Sequence, residues 1–170
     1  NIPANINREH FAFQDWPDYD EELWHLIRSS QLKRAQDCYG RIIGYDLNPD
    51  TVASAKLNIA NSGLEDYIEI HCENFFETKK PEGPTHLVFN PPYGVRIQGN
   101  IPEMYKSIGD TLKNNYSGAE AWFLTSHMDG LKHVGLRASR KIEIYQAKLE
   151  CRFVKYEMYQ GSKKMKYKQV

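Results

Sequence analysis

Apolar side chains recur along the chain at helical spacing in some segments and in short strand-like runs in others. The helical spacing predicts helices over residues 20–36, 49–61, 102–114 and 129–134. The strand-like runs lie at residues 41–45, 67–72, 86–89, 119–125, 141–145 and 149–158. Because helices separate most of these strands, we expect crossover connections and a mostly parallel sheet, with an antiparallel hairpin formed by the last two strands. The pattern therefore predicts an α/β fold.

The second predicted helix carries local signals at both of its ends. Asn48 supplies a capping oxygen, and Pro49 suits the first helical position. The run 61–63, which ends in glycine, is typical of a helix end. In the helix over 20–36, acids come first and bases last, in agreement with the helix dipole. The expected apolar faces are Leu23, Leu26, Ile27 and Leu32 in the first helix and Met104, Ile108 and Leu112 in the third.

Length and composition indicate a globular protein of 170 residues with 41% hydrophobic side chains, enough to bury one core. We expect one domain over residues 1–160 and a basic tail over 161–170. No apolar run approaches the roughly 18 residues of a membrane span, so no membrane partner is expected. Three cysteines without a CxxC pair predict neither a disulfide framework nor a metal site, which favours a cytoplasmic protein.

Charge is unevenly distributed, although the formal net charge of the chain is zero. Residues 1–30 carry a net charge of −4, whereas residues 127–170 carry +7. A basic C-terminal third either supplies contacts to phosphate groups or forms a solvated face that ends in a lysine-rich tail.

Two short pieces near the ends of predicted strands are candidates for nucleoside binding. Asp46 ends a strand just before a helix, where a carboxylate can accept hydrogen bonds from ribose hydroxyls. Residues 73–75, Glu-Asn-Phe, follow the next strand and place an amide beside an aromatic ring, which suits an adenine. Taken alone, each piece is also consistent with an ordinary turn.

Residues 90–94, Asn-Pro-Pro-Tyr-Gly, directly follow an apolar strand and carry the sharpest signal. The two prolines remove backbone donors and stiffen the turn. The Asn90 side-chain oxygen and the Pro91 carbonyl are two acceptors, which suit the two hydrogens of an exocyclic amine. Tyr93 offers a flat face on which a base can stack, an interaction worth roughly 1–3 kcal/mol.

These segments, taken in order, resemble the Rossmann-type S-adenosylmethionine-dependent methyltransferases that modify exocyclic amines and share a (D/N)PPY motif. The matching segments are YDLNPD (45–50), NPPYGVR (90–96), residues 104–112, FLTS (123–126), residues 135–137 and 149–152, and the stretch around Arg8, Phe11, Phe13 and Trp16. The chain resembles more closely the methyltransferases of large-subunit (23S) ribosomal RNA that act on the guanine 2-amino group, often beside an RNA-binding THUMP domain. The resemblance implies a Rossmann-like class I fold.

The resemblance also implies the cofactor, S-adenosylmethionine, and the residues that bind it. Asp46 would hold its ribose with Leu47 beside it, and Asn74, where the family more often has Asp, would lie beside the adenine with Phe75 packing nearby. Asn90 completes the implied cofactor site.

The implied catalytic residues are Asn90, Pro91, Pro92 and Tyr93. Tyr93 and Arg96 are the implied contacts to the substrate, which is ribosomal RNA. A base inside a duplex does not reach such a site, so the target is single-stranded or flipped out.

In the family, a strand and a glycine-rich loop precede the position of Asn1, hold the methionine end of the cofactor and supply the central strand. We therefore expect this chain to be the C-terminal portion of a longer protein, or one half of a split one, with an N-terminal segment or RNA-binding domain as a partner. Without that strand its neighbours have unpaired edges, so the isolated chain is expected to self-associate or to bind the cofactor poorly.

Two alternatives stay open. An adenine-N6-specific DNA methyltransferase uses the same tetrapeptide, because the two amines pose the same hydrogen-bonding problem. A non-catalytic RNA-binding module that has kept the fold is the second alternative.

Overall fold

The computed structural model describes residues 8–37, 39–92 and 100–159. The chain divides into two compact units, with the boundary after Phe75. The helices and strands expected from the hydrophobic pattern are present with ends shifted by a few residues, and the short helix expected at 129–134 is a 3-10 turn at Gly130–His133. No helix in the described part is long and apolar enough to cross a membrane.

The first unit contains a parallel pair of strands. Its elements are a 3-10 turn (Ala12–Asp15), α1 (Glu21–Leu32), β1 (Ile42–Asp46), α2 (Pro49–Asn61) and β2 (Ile68–Cys72). The two strands pair from Ile42 opposite Ile68 to Asp46 opposite Cys72. Because the strands are parallel and in register, their carboxyl ends lie at the same edge.

The ends of α2 confirm the local signals in the sequence. The Asn48 Oδ1 accepts hydrogen bonds from the backbone N–H groups of Asp50 and Thr51, at 2.8 and 3.3 Å. Pro49 is the first helical residue, and Gly63 beyond the other end has a φ of 62°, which favours glycine.

Helix α1 is shorter than the sequence pattern predicts. Asp20 caps it by accepting a hydrogen bond from the Leu23 N–H at 2.9 Å. The helix ends at Leu32. The Lys33 N–H still donates to a carbonyl four residues back, but the N–H groups of Arg34 and Ala35 donate to carbonyls only three residues back.

The predicted apolar face of α1 is exposed within the described residues, by 40–68% for its four side chains. The helix instead makes aromatic contacts through Trp24, whose ring centroid lies 5.0 Å from that of Phe13 and 5.5 Å from that of Phe11. The sequence pattern therefore identified the helix but not the side chain through which it makes these contacts.

The second unit contains a mixed sheet and one long helix. Its main elements are β3 (His86–Phe89), α3 (Ile101–Asn115), β4 (Glu120–Thr125), β5 (Arg140–Gln146) and β6 (Leu149–Glu157). The strand order is β3-β4-β6-β5; β3 and β4 are parallel, and β6 is antiparallel to both of its neighbours. The α/β class and the antiparallel C-terminal hairpin are confirmed. The sheet of the first unit is parallel, and that of the second unit combines one parallel pair with two antiparallel pairs.

Two strands have an open edge within the described residues. Strand β1 pairs only with β2, and β3 pairs only with β4. On β3, Val88 is 67% exposed. Unpaired N–H and C=O groups therefore line one side of each of these strands.

The core of the second unit is rich in aromatic rings. Tyr105 on α3, Phe123 on β4 and Tyr156 on β6 are each at most 1% exposed. Burial and the neighbouring Tyr105 raise the pKa of Tyr156 to about 12. Of the expected face of α3, Ile108 and Leu112 are buried, whereas Met104 is half-buried and its neighbour Tyr105 occupies the core.

Gly109 on α3 allows the closest backbone approach in the described part of this unit. A Cβ added at this position would lie 1.8 Å from the carbonyl oxygen of Val134. The segment after the 3-10 turn at Gly130–His133 therefore packs directly on the helix backbone.

Candidate functional site

Asp46 lies at the carboxyl end of β1 and is exposed. Its Oδ1 accepts a hydrogen bond from the Asn48 N–H at 2.8 Å, and its carbonyl accepts one from the Glu73 N–H at 3.0 Å. The first bond fixes the carboxylate at the turn into α2. No other hydrogen bond to this carboxylate occurs within the described residues, so Oδ2 is available to a ligand.

The neighbouring predicted residues lie at the same edge of the first unit. Because Asp46 is opposite Cys72, the segment that follows β2 begins beside the carboxylate. Asn74 and Phe75 follow there and are half-buried, whereas Leu47 is 69% exposed and its carbonyl accepts from the Cys72 Sγ at 3.5 Å. The first unit thus brings together four of the residues that the resemblance implied for the cofactor.

The second unit carries the Asn-Pro-Pro turn at the carboxyl end of β3. Asn90 is exposed, Pro91 is buried and Pro92 is exposed. The strand residue before them, Phe89, lies 5.1 Å from the ring of Phe123. The turn is therefore anchored on its core side, while the Asn90 amide faces solvent. Tyr93 and Arg96 lie outside the described residues.

A hydrogen-bonded group at the end of β4 supports this edge and was not assigned a role from the sequence. The Tyr105 hydroxyl and the Thr125 Oγ1 form a buried hydrogen bond, and Thr125 Oγ1 also accepts from the His127 N–H at 2.9 Å. Burial raises the pKa of Tyr105, and the bond to Thr125 opposes this rise. A Cβ at Gly130 would lie 2.8 Å from the Tyr105 ring.

The only sequence signal for this group was a tyrosine and a threonine inside otherwise apolar segments, which is weak. Within the described residues no three His, Cys, Asp or Glu side chains gather as a set of metal ligands. The polar atoms at the strand ends are amide, carboxylate and carbonyl oxygens, which suit hydrogen-bond donors on an organic ligand.

A family model described as an RMKL-like methyltransferase domain matches residues 1–155. The chain belongs to this family. The resemblance inferred from the motifs and the Rossmann-like fold class are thereby confirmed. The methyl donor of this methyltransferase domain is S-adenosylmethionine.

Individual relatives agree with this assignment. A Synechocystis protein named "Putative RNA methyltransferase slr0064" is 32% identical over 162 residues, which are 94% of this chain and 42% of the relative. The ribosomal RNA large subunit methyltransferase K/L of Shewanella frigidimarina is 28% identical over 95% of this chain and 24% of its own length. This chain therefore spans less than half the length of these curated relatives.

A solved structure supports both the fold and the cofactor. SMU.472, crystallised in complex with SAH, superposes with a TM-score of 0.78 and 26% sequence identity over 92% of this chain and 42% of that chain. SAH is what the methyl donor becomes after the methyl group has been transferred. The donor set at the end of β1, a carboxylate with one oxygen available beside an amide and an aromatic ring, fits the nucleoside part of such a cofactor.

Proposed function

We propose that residues 1–160 form the catalytic portion of a cytoplasmic RNA methyltransferase, followed by a basic tail over 161–170. The methyl group passes from S-adenosylmethionine to the 2-amino group of a guanine in large-subunit ribosomal RNA. The observation that supports this most is the exposed Asn90 amide beside two prolines at the carboxyl end of β3. An N-terminal segment or RNA-binding domain is the further partner in this proposal.

The nucleoside part of the cofactor is held by the first unit. The Asp46 carboxylate accepts hydrogen bonds from the ribose hydroxyls, since its Oδ1 is already oriented by the Asn48 N–H. Asn74 contacts the edge of the adenine, and Phe75 and Leu47 pack beside it. The amide of Asn74 keeps an acceptor but carries no charge, in contrast to the Asp more common in the family.

The substrate amine is held by the turn after β3. The Asn90 Oδ1 and the Pro91 carbonyl each accept one of the two amine hydrogens, which directs the nitrogen lone pair at the methyl carbon. The cofactor supplies an electrophilic methyl group. As the new N–C bond forms, the bond between the methyl carbon and the cofactor sulfur would break, with its electron pair left on sulfur. The nitrogen becomes cationic and then releases a proton to water, so no strong general base is needed. Positioning of the two reactants accounts for most of the acceleration.

The same turn recognises the base. Tyr93 stacks on the ring of the flipped guanine, and Arg96 contacts the RNA backbone. Pro91 supports this arrangement because it is buried and its φ is fixed, so the backbone that carries its carbonyl acceptor has little freedom.

Mass spectrometry of nucleosides tests the proposed reaction. The protein is incubated with methyl-labelled S-adenosylmethionine and either large-subunit ribosomal RNA or DNA, and we expect label on the guanine 2-amino group of the RNA. Label on DNA adenine would instead support the adenine-specific alternative. RNA binding with no label in either nucleic acid would support the non-catalytic alternative.

Replacing Asp46 with alanine is expected to weaken S-adenosylmethionine binding between about 10- and 100-fold, since a charge-assisted contact to two hydroxyls is lost. Isothermal titration measures the dissociation constant. Asp46→Asn is the informative companion, because it keeps an acceptor for the Asn48 N–H and removes only the charge, so an intermediate loss is expected.

Asp50→Ala is the matched control, because this exposed carboxylate lies four residues further on, in the first turn of α2. It is expected to bind the cofactor as the unmodified protein does. An unchanged dissociation constant in Asp46→Ala would remove this residue from the site.

A further inference from the structure

A groove of about 640 Å³ lies in the second unit at the opposite end of the sheet from Asn90. It is formed where α3 ends, where β6 ends and where the chain enters β5. Charged, hydroxyl and apolar side chains line it, among them Lys113, Arg137, Ser117, Ser139, Leu136 and Met158. The Asn-Pro-Pro turn follows the carboxyl end of β3, whereas the groove lies near Glu157, which pairs with the first residue of β4. The length of these strands, roughly 13–17 Å, separates the two places.

Two cations line this groove. The Lys113 Nζ lies close to Gly135, since a Cβ added at Gly135 would be 3.1 Å from it. Gly135 precedes Arg137 by two residues. The Lys113 Nζ also pairs with the Asp110 carboxylate at 3.3 Å. Arg137 is exposed and makes no hydrogen bond or ion pair with any described residue. Its five donors are therefore available to a ligand.

The one carboxylate that lines the groove has partners of its own. Glu157 pairs with Lys155 at 3.3 Å and accepts a hydrogen bond from the Tyr159 hydroxyl, and Lys155 also pairs with Glu120 at 2.9 Å. Arg137 is therefore the charged side chain of the lining that has no partner among the described residues, and its guanidinium favours an anionic ligand.

The remaining walls suit a nucleotide. The hydroxyls of Ser117 and Ser139 line the polar part, and the Ser139 hydroxyl donates to the Lys155 carbonyl at 3.3 Å, which leaves its oxygen free to accept. Leu136 and Met158 supply apolar surface. A phosphate bound by two cations beside an apolar wall for a sugar or base is the chemistry of one nucleotide unit, and the volume lies within the range of small-ligand sites.

We propose that this groove binds one nucleotide of the RNA strand, with its phosphate on Lys113 and Arg137, at a distance from the base that is methylated. The choice of RNA as the occupant rests on the proposed function. Two further basic residues, Arg140 and Lys141, follow the groove residue Ser139 in the sequence. The groove acts in affinity and register, since phosphate contacts position a nucleic acid without reading its sequence.

The test measures binding of a fluorescein-labelled twelve-nucleotide oligouridylate to the full chain as a function of salt. In the Lys113→Ala/Arg137→Ala double variant, the slope of log K against log salt is expected to become less steep by about 0.7, the value for one single-strand phosphate. The corresponding loss of affinity is about fivefold at 0.1 M salt and disappears towards 1 M. Arg137→Lys keeps the charge and is expected to retain most of the slope.

Lys56→Ala is the matched control, since this exposed lysine lies on α2 in the first unit. Amide NMR spectra locate the site. Uridine monophosphate is expected to shift the signals of Ser117, Arg137 and Ser139, whereas uridine, which has no phosphate, is expected to leave them unchanged. An unchanged slope in the double variant, or an equal change in the control, would overturn the proposal. Polyglutamate binding that is lost in parallel with RNA binding would assign the groove to an acidic protein instead.

The readout separates this inference from the proposed reaction. A protein that binds RNA in the groove and leaves no methyl group on it contradicts the reaction but not the groove. Methylation of RNA by the unmodified protein, together with an unchanged salt slope in the double variant, contradicts the groove alone.

Discussion

Replacing Asn90 with alanine is expected to lower kcat for RNA methylation by about 100-fold or more, with little change in RNA affinity. The reason is that Asn90 Oδ1 is one of the two acceptors proposed to orient the amine, and a misplaced reactant costs on the order of 100-fold. Single-turnover kinetics with labelled cofactor measure the chemical step, and a binding titration with the same RNA measures affinity.

Two further variants define what the Asn90 side chain supplies. Asn90→Asp keeps an oxygen acceptor, as in the (D/N)PPY motif, so it is expected to recover most of the activity. Asn114→Ala removes an exposed amide on α3 and is expected to behave as the unmodified protein does. Turnover of Asn90→Ala at the level of the unmodified protein would refute the proposed mechanism for guanine and adenine alike.

Replacing Gly109 with alanine is expected to destabilise the second unit by about 3 kcal/mol. Helix propensity alone favours alanine by about 1 kcal/mol. The expected loss of stability therefore comes entirely from the clash with the Val134 carbonyl oxygen, which lies 1.8 Å from the added Cβ. The obstacle is backbone, which no change of rotamer can relieve. A loss of this size lowers the Tm by roughly 10 °C in a chain of this length.

Gly40→Ala is the control for this prediction, because a Cβ at Gly40 meets nothing within 4 Å. Thermal unfolding followed by circular dichroism compares the two variants, and urea unfolding gives the free-energy difference. An unchanged or higher Tm in Gly109→Ala would show that the segment around Val134 moves away at little cost.

The parts of the fold that could be predicted are those encoded by neighbouring residues. Asn48 and Pro49 specify the start of α2 through the Asn48 side chain itself, which accepts from two of the helix N–H groups. The end of α1 was missed because residues 33–36 contain no glycine or proline, and only the hydrogen-bond pattern distinguishes a tight final turn from a longer helix.

The candidate site likewise contains residues whose positions the local sequence predicts and residue pairs that it does not predict. The positions of Asp46 and Asn90 could be predicted because each stands at the end of an apolar strand, and such residues lie at the carboxyl edge of a parallel pair. The bond between Tyr105 and Thr125, and the meeting of Lys113 with Arg137 in one groove, join residues 20 and 24 positions apart. Such pairs depend on how α3 crosses the sheet, which local patterns do not contain.

The open edge of β3 has a consequence for how the protein behaves at different concentrations. Among the described residues β3 pairs on one side only and exposes Val88, so another extended chain can add to its open side. Addition of this kind is a second-order process, so it is negligible in dilute solution and grows steeply as molecules crowd together. Any extended segment that pairs with the same edge competes with this self-association. A peptide of that kind, added to the solution, would therefore keep the protein soluble at higher concentrations.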